Sequence, residues 1–381
     1  MNFPAILAIC TAFAAGCAAT PAAGGTTYVA PLDASEDAAL VSDTASQPPP
    51  DVAVADLQAL DVPPVVGNLP PGPVLELKAN KDYMSGALAV IQTAHTQLDV
   101  TEFETTATSS YLAVLVGALK EAQARGVQVR VLMDDEIANN ALVVADLKTA
   151  GIDAKLDSPK VRTHVKLIRS EQGFIVGSTN WSQSSLYYNN ETNFLVRDAA
   201  ANTLMAGYFQ ALWTAPTAMK KVATSSDPNV AMYTEGSYKG LVQPLIQGAK
   251  SRILLCTYAM NTDDSDVKAV LADLAAAVKR GVPVQAVLDL SPASDGGDPT
   301  INADAGTYLK NLGVQVRNDP STVITHAKFI VIDDTVLLGS NNWGHGGFVS
   351  YHEAGVKTQL ATAVAAVDTY FQTLWAVSTP I

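Results

Sequence analysis

His164-Val165-Lys166, Glu171, Gly177-Ser178-Thr179-Asn180-Trp181 and Glu191 form a spaced set. It returns 162 positions later as His326-Ala327-Lys328, Asp333, Gly339-Ser340-Asn341-Asn342-Trp343 and Glu353. Tyr208-Phe209 with Leu212-Trp213 recurs at the same offset as Tyr370-Phe371 with Leu374-Trp375. A gap-free match over about fifty residues marks a duplicated unit. The matched polar residues are of the types that handle phosphate, so the duplication reads as one active site built from two half-sites.

The flanking sequence repeats in the same order. Leu98 to Phe103 and Val127 to Met133 have the composition of strands, and the stripe Leu112, Leu115, Val116, Leu119, Ala122 between them marks a helix ending near Gly126. A helix over Ala141 to Ala150 follows, closed by Gly151. In the second half the strands are Ile253 to Tyr258 and Val284 to Leu288. The helical stripe runs from Val267 to Val278 before Gly281, and Thr307 to Leu312 lies in a helix before Gly313. Arg125-Gly126-Val127 and Arg280-Gly281-Val282 are 155 apart while Gly151 and Gly313 are 162 apart, which implies a seven-residue insertion, placed at Ser291 to Pro299. Strands alternating with helices predict an α/β sandwich in each half. The motif itself reads as strand, turn, strand: Val165 to Ile168 and Phe174 to Val176, then Phe329 to Ile332 and Val336 to Leu338. Alternation along a strand puts His164 with Lys166, and His326 with Lys328, on one face.

These residue types suit phosphodiester chemistry. Lys166, Lys328, Asn180 and Asn342 are fixed donors for the non-bridging oxygens of a phosphoryl group. A neutral imidazole can attack phosphorus, and an imidazolium can protonate a leaving oxygen. A carboxylate on the far ring nitrogen fixes the tautomer, and Glu191 and Glu353, each 27 residues after its histidine, are the candidates for that role. Two copies supply one nucleophile and one acid.

The pattern resembles the phospholipase D superfamily, whose hallmark is H-x-K-x4-D followed by G-S-x-N, usually twice per chain. The resemblance covers roughly residues 74–381. It implies two α/β domains packed with pseudo-twofold symmetry around a shared cleft. It also implies metal-independent chemistry without a cofactor, and a phosphohistidine resolved by water or an alcohol. On that pattern His164 is the nucleophile and His326 the acid, with Ser178 and Ser340 shaping or contacting the phosphate pocket. Glu171 stands where the family has Asp, and Glu171 and Asp333 are expected to support rather than react. Both copies have five residues between the acid and the glycine, one fewer than is common, and a tighter hairpin absorbs the difference.

The start of the chain has a different character. Phe3 to Ala15 is apolar and ends in Ala14-Ala15-Gly16-Cys17, the form of a bacterial secretion signal with a lipobox-like end. Residues 1–17 are read as that signal and Cys17 as a lipidation site, with plain export after an Ala-x-Ala cut as the alternative. Residues 18–73 are rich in Pro, Ala and Asp and read as an extended tether. Domains then follow at 74–225 and 226–381. Eight acids and no basic residue lie in 18–77, which leaves −5 of the chain's −13 for residues 78–381. A body without a basic balance counts against non-specific nucleic-acid binding. Cysteines 10, 17 and 256 form no metal cluster, and Cys256 lies in an apolar run that reads as core.

Other polar residues read as structural. His95 sits at a helix end, His345 and His352 read as cleft lining or surface, and Trp181 and Trp343 read as core. Asp134-Asp135 and Asp263-Asp264 suit turns or caps better than a metal. Thr101, Phe103 and Tyr258 end strands that can face the cleft. The resulting expectation is an exported, lipid-anchored phosphodiesterase of the cell envelope acting on phospholipid, with no obligate protein partner. An exported endonuclease of the same superfamily is the first alternative, and a non-catalytic surface binding protein the second.

Overall fold

The computed structural model of the chain describes residues 67–221, 229–290 and 301–381. The signal, Cys10, Cys17, the tether up to residue 66, the boundary near residue 225 and the insertion at Ser291 to Pro299 lie outside the described residues. The first half runs β1 (Leu75–Ala79), α1 (Asp82–Gln92), β2 (Gln97–Glu102), α2 (Ser110–Ala124), β3 (Gln128–Met133), α3 (Ala138–Thr149), β4 (Asp153–Leu156), β5 (Lys166–Ser170), β6 (Phe174–Gly177), α4 (Gln183–Tyr187), β7 (Thr192–Val196) and α5 (Ala199–Thr214). The second runs β8 (Ala231–Thr234), α6 (Tyr238–Gly248), β9 (Ile253–Thr257), α7 (Ser265–Lys279), β10 (Val284–Leu288), α8 (Ile301–Asn311), β11 (Gln315–Asn318), β12 (Phe329–Ile332), β13 (Thr335–Gly339), β14 (Ala354–Thr358), α9 (Ala361–Val377) and β15 (Thr379–Pro380). A wide helical turn, Gly346–Ser350, stands where the first half has α4. No described helix is long and apolar enough to cross a membrane.

The duplication is complete at the level of topology. One sheet has the order β1-β7-β6-β5-β2-β3-β4 and the other β8-β14-β13-β12-β9-β10-β11, with β15 added at its end. In both sheets the strands on the β3 or β10 side are parallel and the hairpin on the motif side is antiparallel. The predicted motif hairpins are β5–β6 and β12–β13. The helices end as the sequence suggests: Gly126 and Gly281 follow α2 and α7 at φ 91° and 87°, the left-handed turn that stops a helix. Side chains cap the starts of α2, α5 and α7, from Ser109, Asp198 and Asp264.

Both faces of each sheet are covered. Along β5 and β6, Leu167, Phe174 and Val176 point into a core shared by the two halves, while Ile168 and Ile175 point the other way, under α1 and α2. Along β12 and β13 the same alternation sends Phe329, Val331, Val336 and Leu338 inward and Ile330, Ile332 and Leu337 under α6 and α7. The shared core also holds the repeated aromatic pairs of α5 and α9, Tyr208-Phe209 and Phe371 with Trp375 packed against it. That repeat is thus an interface signal. It joins the halves into one body and sets the two motif strands opposite each other.

The motif glycines are required by close approach. A Cβ on Gly177 would lie 2.2 Å from the Thr192 carbonyl, and one on Gly339 2.6 Å from the Ala354 carbonyl. Both contacts are with the first residue of the neighbouring strand, the one that follows the glutamate of the motif. Gly177→Ala and Gly339→Ala should therefore each cost about 1–3 kcal/mol of stability by overpacking. The check is the denaturant midpoint, with Gly207→Ala, an exposed position inside α5 where nothing lies within 4 Å, as the control expected to gain about 0.5–1 kcal/mol.

Candidate active site

The motif strands carry His164, Lys166, His326 and Lys328 to the line where the two halves meet. Isolated bridges pair Thr163 with His352 and Asn190 with Thr325, so each histidine lies beside the other half's glutamate segment. The glutamates consequently cross over. His164 Nδ1 lies 2.9 Å from Glu353 Oε1, and His326 Nδ1 lies 3.0 and 3.1 Å from the two oxygens of Glu191. The sequence spacing had suggested a glutamate for the histidine 27 residues before it. The structure instead gives each histidine the glutamate of the opposite half, because β7 and β14 turn their N-terminal ends across the junction.

All of these groups are buried, His164 to 1 % and His326 to 6 % exposure. Lys166 Nζ donates to the His164 carbonyl and Lys328 Nζ to the His326 carbonyl, each at 2.7 Å. The serines of the motif turn toward the glutamates: Ser178 Oγ donates to Glu191 Oε2, and Ser340 Oγ donates to Glu353 Oε2. Ser185, which the sequence reading did not single out, donates to Glu191 as well. The serines therefore orient the carboxylates that hold the imidazoles. Asn180 Nδ2 donates to Glu104 Oε2 at 3.1 Å, while Asn180 Oδ1, Asn342 Oδ1 and His164 Nε2 have no partner. Orphaned buried polar atoms on motif residues of both halves fit a site built for something else to bind.

The two acids of the motif stand apart from this centre. Glu171 sits in the β5–β6 turn and accepts the backbone N–H groups of His95, Thr96 and Gln97 at 2.7–3.3 Å. Asp333 does the same in the other half for Lys250, Ser251 and Arg252. Both clamp the start of the strand that runs beside the motif, and the extra methylene of Glu171 leaves that function intact. Phe103 and Tyr258 do face the site: their rings meet His164 and His326 edge-on at 4.9 and 4.8 Å. Lys166 Nζ and Lys328 Nζ lie over the same rings at 4.9 and 5.1 Å. Trp181, Trp343 and Cys256 are core. Asp134 caps the Thr163 N–H at 2.7 Å, and Asp264 caps α7. His345 is half exposed, 3.8 Å from Asp264.

His352 does not line a cleft. It is fully buried, with Nδ1 against Glu235 and Nε2 against the Pro216 carbonyl. Glu102, whose charge acts on Lys166, and Glu104, Glu235 and Ser185 have no matching partner at the repeat offset, the signal that singled out the motif residues.

Burial controls the charges. It holds His164 well below the ordinary imidazole range, helped by the nearby Lys166 and Lys328 cations, and pushes His326 down to about 4 against the pull of Glu191. Burial also lowers Lys166 and brings Lys328 down to about 7, and it raises Glu353 to about 7. Near neutral pH the site therefore holds two uncharged imidazoles, with His164 Nε2 unpartnered.

A family model described as "Cardiolipin synthase, PLD-like domain" matches residues 87–213 and 242–375, one stretch in each half. This chain belongs to the phospholipase D superfamily. Its relatives include the mitochondrial cardiolipin hydrolase of Xenopus laevis, 30 % identical over 148 residues that make up 38 % of this chain and 63 % of that protein. Phosphatidylserine synthase of Haemophilus influenzae Rd KW20 shares the fold, with a TM-score of 0.66 at 13 % identity over 81 % of this chain and 87 % of that one. So does the polyphosphate kinase of Porphyromonas gingivalis, with a TM-score of 0.60 at 13 % identity over 81 % of this chain and 48 % of that one.

In this phospholipase D-like site Lys328 is charged below about pH 7 and neutral above it. Dimethyl phosphate stays a monoanion throughout, so its Kd should rise by up to about tenfold per pH unit above that point. Titration calorimetry across pH 6–9 checks the slope, and Lys328→Arg should flatten it.

Proposed function

We propose that this chain is a phosphodiesterase of phospholipase D type that cleaves or transfers phospholipid headgroups through a phosphohistidine. The observation that carries the reading is the pair of buried imidazoles, each tied through Nδ1 to a carboxylate of the opposite half, with Nε2 of His164 unpartnered. Glu353 fixes the tautomer that leaves a lone pair on His164 Nε2. That nitrogen attacks phosphorus and an N–P bond forms. The P–O bond to the headgroup breaks as the leaving oxygen takes a proton from His326. The monoanionic substrate supplies the negative charge that lets His326 hold that proton beside two lysines. Water, deprotonated by His326, then attacks phosphorus, the N–P bond breaks, and a phosphomonoester leaves. An alcohol in place of water gives transfer.

Lys166, Lys328, Asn180 and Asn342 hold the phosphoryl oxygens in this scheme. The phospholipid substrate is supported by the names of the matching family and relative, both of which refer to cardiolipin. The proposal extends to the organisation of the chain: domains at 74–225 and 226–381 behind a tether, exported by the signal at 1–17 and anchored in the cell envelope by a lipid on Cys17.

The purified chain should convert phospholipid in mixed vesicles to a phosphomonoester lipid, followed by 31P NMR. EDTA should leave the rate unchanged, and His164→Ala should lower it by about 10³-fold or more. With bis(p-nitrophenyl) phosphate, whose leaving group needs no proton, His326→Ala should leave an acid-labile phosphoryl group on the His164 peptide, read by mass spectrometry. Turnover of plasmid DNA without turnover of lipid would move the reading to the endonuclease; loss of neither on His164→Ala would leave a binding protein.

A further inference from the structure

The two half-sites differ in the residues that lie directly behind His164. Asn80 and Glu235 occupy equivalent positions, 155 residues apart, each with a left-handed backbone (φ 52° and 56°). Each donates its N–H to the carbonyl of a site glutamate, Asn80 to Glu191 at 3.1 Å and Glu235 to Glu353 at 2.9 Å. Asn80 then turns its side-chain oxygen back to accept the Glu191 N–H at 2.8 Å. Glu235 instead turns its carboxylate onto His352, 3.0 and 3.1 Å from Nδ1. His352 in turn replaces Asn190 of the first half, 162 residues earlier.

Three features mark this pair as more than filling. Both side chains are fully buried, so an ion pair sits where the other half manages with two neutral amides. Left-handed backbone suits Asn and strains Glu, so the exchange has a conformational cost that the pair must offset. The ring of His352 is fixed at both ends, with Nε2 donating to the Pro216 carbonyl at 2.8 Å. Its main chain bridges the motif: the His352 carbonyl accepts the His164 N–H at 3.0 Å, and the His352 N–H donates to the Arg162 carbonyl at 2.9 Å. The residue after it is Glu353, which holds the His164 ring.

We propose that Glu235 and His352 are positioning residues for His164 and Glu353. The ring of His352 is pinned between Glu235 and Pro216. Its own carbonyl then sets the His164 main chain, and the adjacent Glu353 sets the His164 ring. Neither residue touches the reacting atoms. Near-attack alignment is steep in distance, so a displacement of about 1 Å at His164 is worth up to about 10² in rate. The rate statement rests on the phosphodiesterase reading above; the alignment of His164 does not.

The test symmetrises the site. The double variant Glu235→Asn/His352→Asn installs the pair that the first half already carries, removes a buried ion pair and relieves the backbone at 235. It should melt at or above the wild-type temperature. With bis(p-nitrophenyl) phosphate its kcat should fall about tenfold while KM stays within about twofold. The 15N resonances of the His164 ring should shift relative to wild type. His352→Asn alone should lower the melting temperature, because it leaves Glu235 buried without its partner. Unchanged kcat with unchanged His164 resonances would reduce the pair to packing and overturn the proposal. A double variant that loses melting temperature, kcat and KM together would also overturn it, in favour of a structural role. If wild type turns over no phosphodiester, the proposed activity fails, and the His164 resonances still decide for or against positioning.

Discussion

Each histidine is held by the glutamate of the other half, and this crossed pairing constrains everything around it. His164 with Glu353 and His326 with Glu191 close two contacts across one junction, so neither half contains a finished half-site. The crossing requires β7 and β14 to deliver their first residues within hydrogen-bond reach of the opposite motif strand. That in turn requires the shared core of α5, α9 and the inner faces of both sheets. Glycine at 177 and 339 follows from the same demand, since the glutamate-bearing strands pass too close for a side chain. Burying two lysines and two carboxylates is unfavourable unless their polar atoms are hydrogen-bonded, and here each ammonium donates to a motif carbonyl and each carboxylate accepts from a serine and faces an imidazole.

Away from the junction the duplicated scaffold accepts different chemistry. Asp99 is fully buried on the inner face of the first sheet, between Arg130 and Arg169 at 2.9 and 3.1 Å. The equivalent positions of the second sheet are Leu254, Gln285 and Val331, a largely apolar solution under α9 rather than α5. A buried, fully paired charge row and a hydrophobic patch of similar size are energetically comparable. That is why the same strand order survives both.

The sequence made the repeated features legible. The motif residues, the strand and helix order, the helix-ending glycines and the core roles of Trp181 and Trp343 all follow from residues that recur at a fixed offset. The crossing of Glu191 and Glu353 was not legible, since spacing along one chain says nothing of which half a side chain reaches into. Nor was the role of Ser178 and Ser340 in orienting carboxylates, because a hydroxyl has the same local sequence signal whichever way it turns. His352 read as cleft lining because a lone histidine near a motif looks accessible. Its burial depends on Glu235, 117 residues away, and on Pro216.

The departures from symmetry fall on one side. Around His326 and Lys328 the equivalent residues are Thr257, Ala259, Asn80 and Asn190, all neutral. Around His164 and Lys166 they are Glu102, Glu104, Glu235 and His352, all titratable. Burial keeps the Glu102 carboxyl well above its usual range, and the Glu235 charge adds to the burial that raises Glu353. A more basic Glu353 draws harder on the Nδ1 proton of His164, which increases electron density at the open Nε2. A reaction that asks one histidine to attack and the other to give a proton needs two unlike environments. The duplicated chain obtains them by substituting the ring of neighbours behind one histidine, while the crossed glutamate and the motif serine and lysine of both stay the same.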